Sequence, residues 1–160
     1  VSVGLASGKV PLVGVIHEPN LDELFYAWKG GGAWCNGKKI KVSDVSRLSE
    51  SLLATGFPYY RFEKHKQYMD ILETLMQKTH GIRRLGAAAV DLAYVAAGRF
   101  EGFYEYNLHP WDMAAGVLLV QEAGGKVTDF DGEDNYLFGG NIVACAAPHQ
   151  ELLDVIKSHF

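Results

Sequence analysis

Apolar and polar positions alternate with a period of two through the opening of the chain, then change to a period near 3.6 in several later stretches. Residues 1–6 and 10–18 both read as strands parted by the tight turn Ser7-Gly8-Lys9, and the aromatic-rich run 23–29 suits a third. Asn36-Gly37 predicts a two-residue hairpin turn into a further strand at 39–42. The triplet Gly30-Gly31-Gly32 reads as turn glycines rather than a phosphate loop. A strand precedes it, and Ala33-Trp34-Cys35 follows it instead of a helix, so its amides are not expected to converge as a phosphate cradle requires.

Beyond residue 50 a buried strand is expected at 51–55. A helix follows at 60–78, whose apolar positions Phe62, Tyr68, Met69, Leu72, Leu75 and Met76 share the helical period. A short extended piece at 81–85 leads to a helix at 87–97 closed by Gly98, and 100–106 reads as an aromatic-rich strand with Glu105 near its end. A helix starting at Asp112 runs through Glu122 and is closed by Gly124-Gly125. Then come a strand at 126–130, a polar glycine-rich loop at 131–140, a strand at 141–146 and a last helix at 148–159. An antiparallel opening followed by strand–helix alternation predicts an α+β or mixed α/β sheet packed by helices, as one domain over residues 1–160.

Composition narrows the function classes. A chain of 160 residues that is 48% hydrophobic can bury a core. Its net charge of −4 and its short basic clusters, Lys38-Lys39 and Arg83-Arg84, predict no nucleic-acid partner. No apolar run reaches the roughly eighteen residues a membrane helix needs, so no membrane partner is expected. Cys35 and Cys145 lie far apart without metal-ligand spacing and read as reduced core thiols, which suits the cytoplasm.

Candidate chemistry centres on Asp112. Pro110 marks an element boundary, and an acid placed where a helix begins is held in a fixed position. On local physics that acid serves either as a helix cap or as a reactive carboxylate, and spacing does not choose between them. Glu122 lies about 15 Å further along the same helix, too far to share an ion with Asp112. Asp91, in a helix of small residues, is expected to make a buried structural hydrogen bond. His109 beside a turn reads as structural.

The run Trp111-Asp112-Met113-Ala114-Ala115-Gly116 continues through Gln121-Glu122-Ala123-Gly124-Gly125 to Val127-Thr128-Asp129, and it resembles the second signature of the inositol monophosphatase family. Further similar stretches occur in the same order: Val1 to Leu5 with Gly14-Val15-Ile16, Lys29 to Gly37, Ala54 to Tyr59, and Arg83 to Leu92. The resemblance implies a layered αβαβα sugar-phosphatase fold and hydrolysis of a small phosphate monoester, inositol monophosphate first among them, by a water that Mg2+ activates. It also implies that Asp112 is a ligand of the second catalytic metal, its ionised form favoured by the helix N-terminus. Glu105 would bind hydroxyls of the polyol, while Gly86, Ala87 and Ala88 form the turn and helix start against the substrate. Homodimers are a further expectation.

The family's first signature, Asp-Pro-(Ile/Leu)-Asp-Gly-Thr, is absent from these residues, as is an earlier Glu-Glu pair. The chain therefore reads as the C-terminal portion of such a phosphatase: part of its sheet should lack neighbours, and alone it should be a poor enzyme or none. Fructose-1,6-bisphosphatase and 3'-phosphate nucleotidase activities share a similar second signature and stay open. So does a role of another class, a non-catalytic binding or assembly module that keeps the fold.

Overall fold

The computed structural model describes residues 1–58 and 62–160. The opening forms an antiparallel meander of five strands in sequence order: β1 (Ser2–Ser7), β2 (Val10–Glu18), β3 (Glu23–Trp28), β4 (Ala33–Cys35) and β5 (Lys38–Ile40). Alternation sets its faces: Ile16, Phe25 and Ala27 point inward and are buried. Val3, Val15, Leu5, Val13 and Trp28 pair across the strands on the other face, where Val3 stays 61% and Leu5 59% exposed. The β4–β5 turn is tight because Asn36 and Gly37 both take positive φ, 47° and 77°, the conformation a two-residue hairpin needs.

The second sheet has the order β7 (Gly81–Arg83), β6 (Leu52–Thr55), β8 (Gly102–Glu105), β10 (Ile142–Cys145), β9 (Lys126–Thr128). β6 runs parallel to β7 and β8, whereas β10 runs antiparallel to β8 and β9, so the sheet is mixed. Helices α2 (Ala88–Ala96) and α3 (Pro110–Glu122) lie between the two sheets and share one core with Phe25, Ala54, Phe103 and Ala144. On the far side of the second sheet, Leu53, Tyr104, Val143 and Cys145 meet α1 (His65–Lys78) and α5 (His149–Lys157) through Tyr68, Ile71, Leu75, Leu152 and Ile156. The layers therefore run sheet, helices, sheet, helices, the mixed α/β architecture of the αβαβα fold.

Several expected boundaries move for identifiable reasons. α3 begins at Pro110, not Asp112, because proline tolerates the first helical position, where its missing N–H would have had no partner. The supposed loop at 131–140 contains a four-residue helix, α4 (Tyr136–Gly139), drawn in by the burial of Tyr136 and Leu137. α1 begins at His65 and not at Tyr60, because residues 62–64 take a turn that ends in the non-helical Lys64; Tyr60 itself, and Tyr59 of the similar stretch Ala54 to Tyr59, lie outside the described residues.

α3 shows little amphipathic character because both its faces are covered. Met113, Ala115, Gly116, Val117, Leu118, Leu119 and Val120 are all buried. Close approach to the meander is possible only because Gly14 lacks a side chain: a Cβ there would lie 2.6 Å from the carbonyl oxygen of Ala115. That obstacle is backbone and cannot swing aside. Gly14→Ala should therefore lower stability by about 1–3 kcal/mol, the usual cost of overpacking. Urea denaturation checks this, and an unchanged midpoint would mean the helix and sheet are not in firm contact.

Candidate functional site

The ends of β6 and β8 and the starts of α2 and α3 meet at one edge of the second sheet. They enclose a cleft of 220 Å³ lined by Gly56, Phe57, Arg84, Gly86, Ala87, Ala88, Glu105, Leu108 and Asp112. All five residues singled out by the resemblance thus line one cleft. Gly56, Phe57, Arg84 and Leu108 join them without having been assigned a role. The first three sit inside stretches that carry the resemblance, but nothing in their local pattern marks them.

Asp112 is the third residue of α3, one turn in from His109, and is half-buried. Its Oδ2 accepts the backbone N–H of His109 at 2.9 Å, which fixes the carboxylate at the helix start. The His109 ring stacks on Trp111 with centroids 4.5 Å apart and does not line the cleft. At the other end of α3, Glu122 meets the glycine triplet, which forms the turn expected of it. The amides of Gly30 and Gly32 both donate to the Glu122 carboxylate, at 2.7 and 2.8 Å. The acid comes from the chain itself and ties the helix end to the β3–β4 loop.

Gly86 turns the chain into α2 with φ of 94°, a conformation that favours glycine. The N-cap of α2 is Ala87, whose side chain offers no acceptor to the first-turn amides, so this helix start suits an oxygen ligand arriving from the cleft. Glu105 ends β8. Burial is the main force pushing its carboxyl up to about 7; the charge of Asp91 adds to the rise, Arg84 opposes it and Asp112 adds slightly. Near neutral pH it can therefore meet a hydroxyl as donor or as acceptor.

Asp91 departs from expectation. It is 1% exposed, and among the described residues neither carboxyl oxygen has a hydrogen-bond partner. Its helix neighbours Leu92 and Ala93 are buried and apolar and offer no side-chain donor. Burial raises its pKa to about 7, with Arg84 pulling the other way. Among the described residues no group of three or more His, Cys, Asp and Glu side chains is placed to hold a metal ion. Asp112 alone offers a Mg2+ ion one carboxylate, so these residues fit a magnesium site only in part.

The family model of the inositol monophosphatase family matches residues 1–159. The chain belongs to this family. It is 44% identical over 161 residues to a protein of Neisseria meningitidis serogroup B described as a putative Nus factor SuhB, covering 99% of this chain and 61% of that one. It is 42% identical over 144 residues to an inositol-1-monophosphatase of Mesorhizobium japonicum, covering 90% of this chain and 54% of that one. The solved inositol monophosphatase of Anabaena (Nostoc) sp. PCC 7120 superposes with a TM-score of 0.91 at 44% identity, over all of this chain and 64% of that one. The chain thus spans between about half and two thirds of the length of these relatives.

The orphaned Asp91 has a thermodynamic signature. Its folded pKa of about 7 lies above the ordinary value of 3.8, so between those values the folded protein holds a proton that the unfolded chain has released. The stability this contributes is complete below pH 4 and drains as pH rises through 7. Asp91→Asn should flatten that decline, so that stability at pH 8 moves closer to stability at pH 5, with each pH unit worth up to about 1.4 kcal/mol. Chemical denaturation at the two pH values measures it, and parallel profiles for both proteins would show that Asp91 is not protonated on folding.

Proposed function

We propose that the protein hydrolyses a small polyol phosphate monoester, inositol monophosphate in the first instance, with Mg2+ as cofactor. The observation that carries this reading is the convergence of Asp112, Glu105 and the Gly86-Ala87-Ala88 helix start on one cleft. Family membership and a relative described as an inositol-1-monophosphatase support it. A phosphate monoester is already anionic and resists attack, and hard cations when bound neutralise it and lower the pKa of a coordinated water. In this reading Asp112 is one carboxylate ligand of the metal, the first-turn amides of α2 take phosphate oxygens, and Glu105 orients the polyol through its hydroxyls. The remaining ligands are not among the described residues.

Hydrolysis of fructose 1,6-bisphosphate or of a 3'-phosphate nucleotide would use the same groups, and a substrate panel separates these from inositol monophosphate. A second reading, an assembly role without catalysis, is favoured by the relative described as a putative Nus factor. The open apolar face of the meander, with Val3, Leu5 and Trp28 exposed, suits such a role. No helix among the described residues is long and apolar enough to cross a membrane. Cys35 and Cys145 are free, which fits a cytoplasmic location, and a homodimer belongs to the same reading.

Asp112→Asn tests the assignment, because asparagine can still accept the His109 N–H but loses the charge a cation needs. The protein should keep its melting temperature while turnover of inositol monophosphate falls at least roughly a hundredfold across a magnesium titration. Near-native turnover at every magnesium concentration would leave Asp112 as a helix-start residue only. Calorimetry on residues 1–160 alone should find weak magnesium binding, and a tight stoichiometric site there would contradict the reading of a shared ligand set.

A further inference from the structure

Glu105 owes its position to a residue with no side chain. β6 and β8 run parallel, with Thr55 opposite Tyr104, so the next residue of each strand, Gly56 and Glu105, come together at the cleft. A Cβ at Gly56 would lie 2.3 Å from Glu105 Oε2 and 2.4 Å from both Cδ and Oε1. The carboxyl group therefore occupies the volume that any other residue at position 56 would fill.

Gly56 is itself held from behind. The Tyr68 hydroxyl, reaching across from α1, donates to the Gly56 carbonyl at 2.6 Å, and Thr55 Oγ1 donates to the Tyr104 carbonyl at 2.9 Å. The two hydroxyl oxygens lie 2.9 Å apart. Tyr68 and Thr55 are 1% and 2% exposed, so water does not compete for these bonds. The network joins the chain just after β6 to the end region of β8, and the Tyr68 hydroxyl bonds the carbonyl of the residue beneath the acid. A buried network in that position fixes a backbone, and through it whatever rests on that backbone.

We propose that Gly56, anchored by Tyr68 and Thr55, is a positioning residue that sets where the Glu105 carboxyl stands in the cleft and thereby sets the preference for polyol phosphates over simpler phosphate esters. The inference rests on the reading of Glu105 as the group that binds polyol hydroxyls. Ordinary van der Waals contact starts at 3.4 Å, so a methyl group at position 56 drives the carboxyl back by about 1 Å. Because the obstacle is the end of a side chain and not backbone, the fold absorbs the change and the acid moves. A shift of about 1 Å in a positioning group suffices for a loss of one to two orders of magnitude.

The experiment is Gly56→Ala in the protein that carries this chain, with two readouts. A crystal structure of the variant should show the Glu105 carboxyl displaced by about 1 Å while the Tyr68 and Thr55 hydrogen bonds remain. Kinetics with inositol monophosphate should show KM raised roughly tenfold with kcat changed less than about threefold, while 4-nitrophenyl phosphate, which has no polyol hydroxyls, changes less than about twofold in either. In a Glu105→Asp background, where the shorter acid has already withdrawn, adding Gly56→Ala should raise KM by less than about threefold further. A carboxyl that does not move overturns the proposal. So does a moved carboxyl with unchanged discrimination between the two esters. If the unaltered protein hydrolyses no polyol phosphate, the reading of the function falls, and the crystallographic displacement alone still decides whether Gly56 positions Glu105.

Discussion

Everything else in the molecule depends on α3 being clamped between two sheets. Its first turn carries Asp112, its middle is buried on all sides, and its last turn ends in Glu122, bonded to two amides of the β3–β4 loop. The clamp works because the first sheet and the neighbouring helix both approach the α3 main chain closely. Gly14 lets the meander reach the helix main chain, and Gly116 lets α2 reach it, since a Cβ there would lie 2.5 Å from that of Leu92. A helix seated this closely cannot rotate or slide without breaking packing in two layers, so the carboxylate on its first turn is placed by the whole core and not by a local cap.

The same clamp explains why the cleft is electrostatically costly. α2 and α3 bring apolar surface to the second sheet, and this excludes water from one side of Asp91 and Glu105. Among the described residues Asp91 receives no hydrogen-bond donor, and Arg84 only partly relieves either acid, so burial drives both toward the neutral form. A fold selected only for stability would have replaced Asp91 with an apolar residue of similar size. A buried acid whose charge acts on Glu105, a group of the cleft, is the kind of local violation that accompanies function.

Much of this was legible in the amino-acid sequence, for reasons that differ by element. β2 spans the expected residues because period-two alternation over a long strand leaves no rival reading. α4 was hidden because a four-residue helix has no period to detect; burial of Tyr136 and Leu137 makes it, and burial is a property of the folded state. The glycine triplet was legible as a turn, but the acid its amides bond, Glu122, was not, because it stands ninety residues away in the chain. Asp91 misled because buried acids generally have partners and this one does not. The cleft itself was visible only through resemblance: Gly86, Glu105 and Asp112 sit on three different elements, and their convergence follows from strand order in the second sheet. Gly56 had no signal at all, since a glycine after a strand looks like any turn until the carboxyl lying over it is seen.

Two acids of one cleft are thus prepared for different work by their surroundings. Asp112 sits at a helix start, half-buried, and accepts a backbone N–H from His109. A carboxylate held in this way is the kind of oxygen ligand a hard cation takes in the proposed reading. Glu105 sits at a strand end over a bare α-carbon, with a buried acid nearby, in a slot whose shape is set by the missing side chain. A carboxyl poised between its two protonation states can pair with either the oxygen or the hydrogen of a hydroxyl. In the proposed reading environment, not residue type, separates the two roles, and Gly56, where a side chain is missing, makes room for one of them.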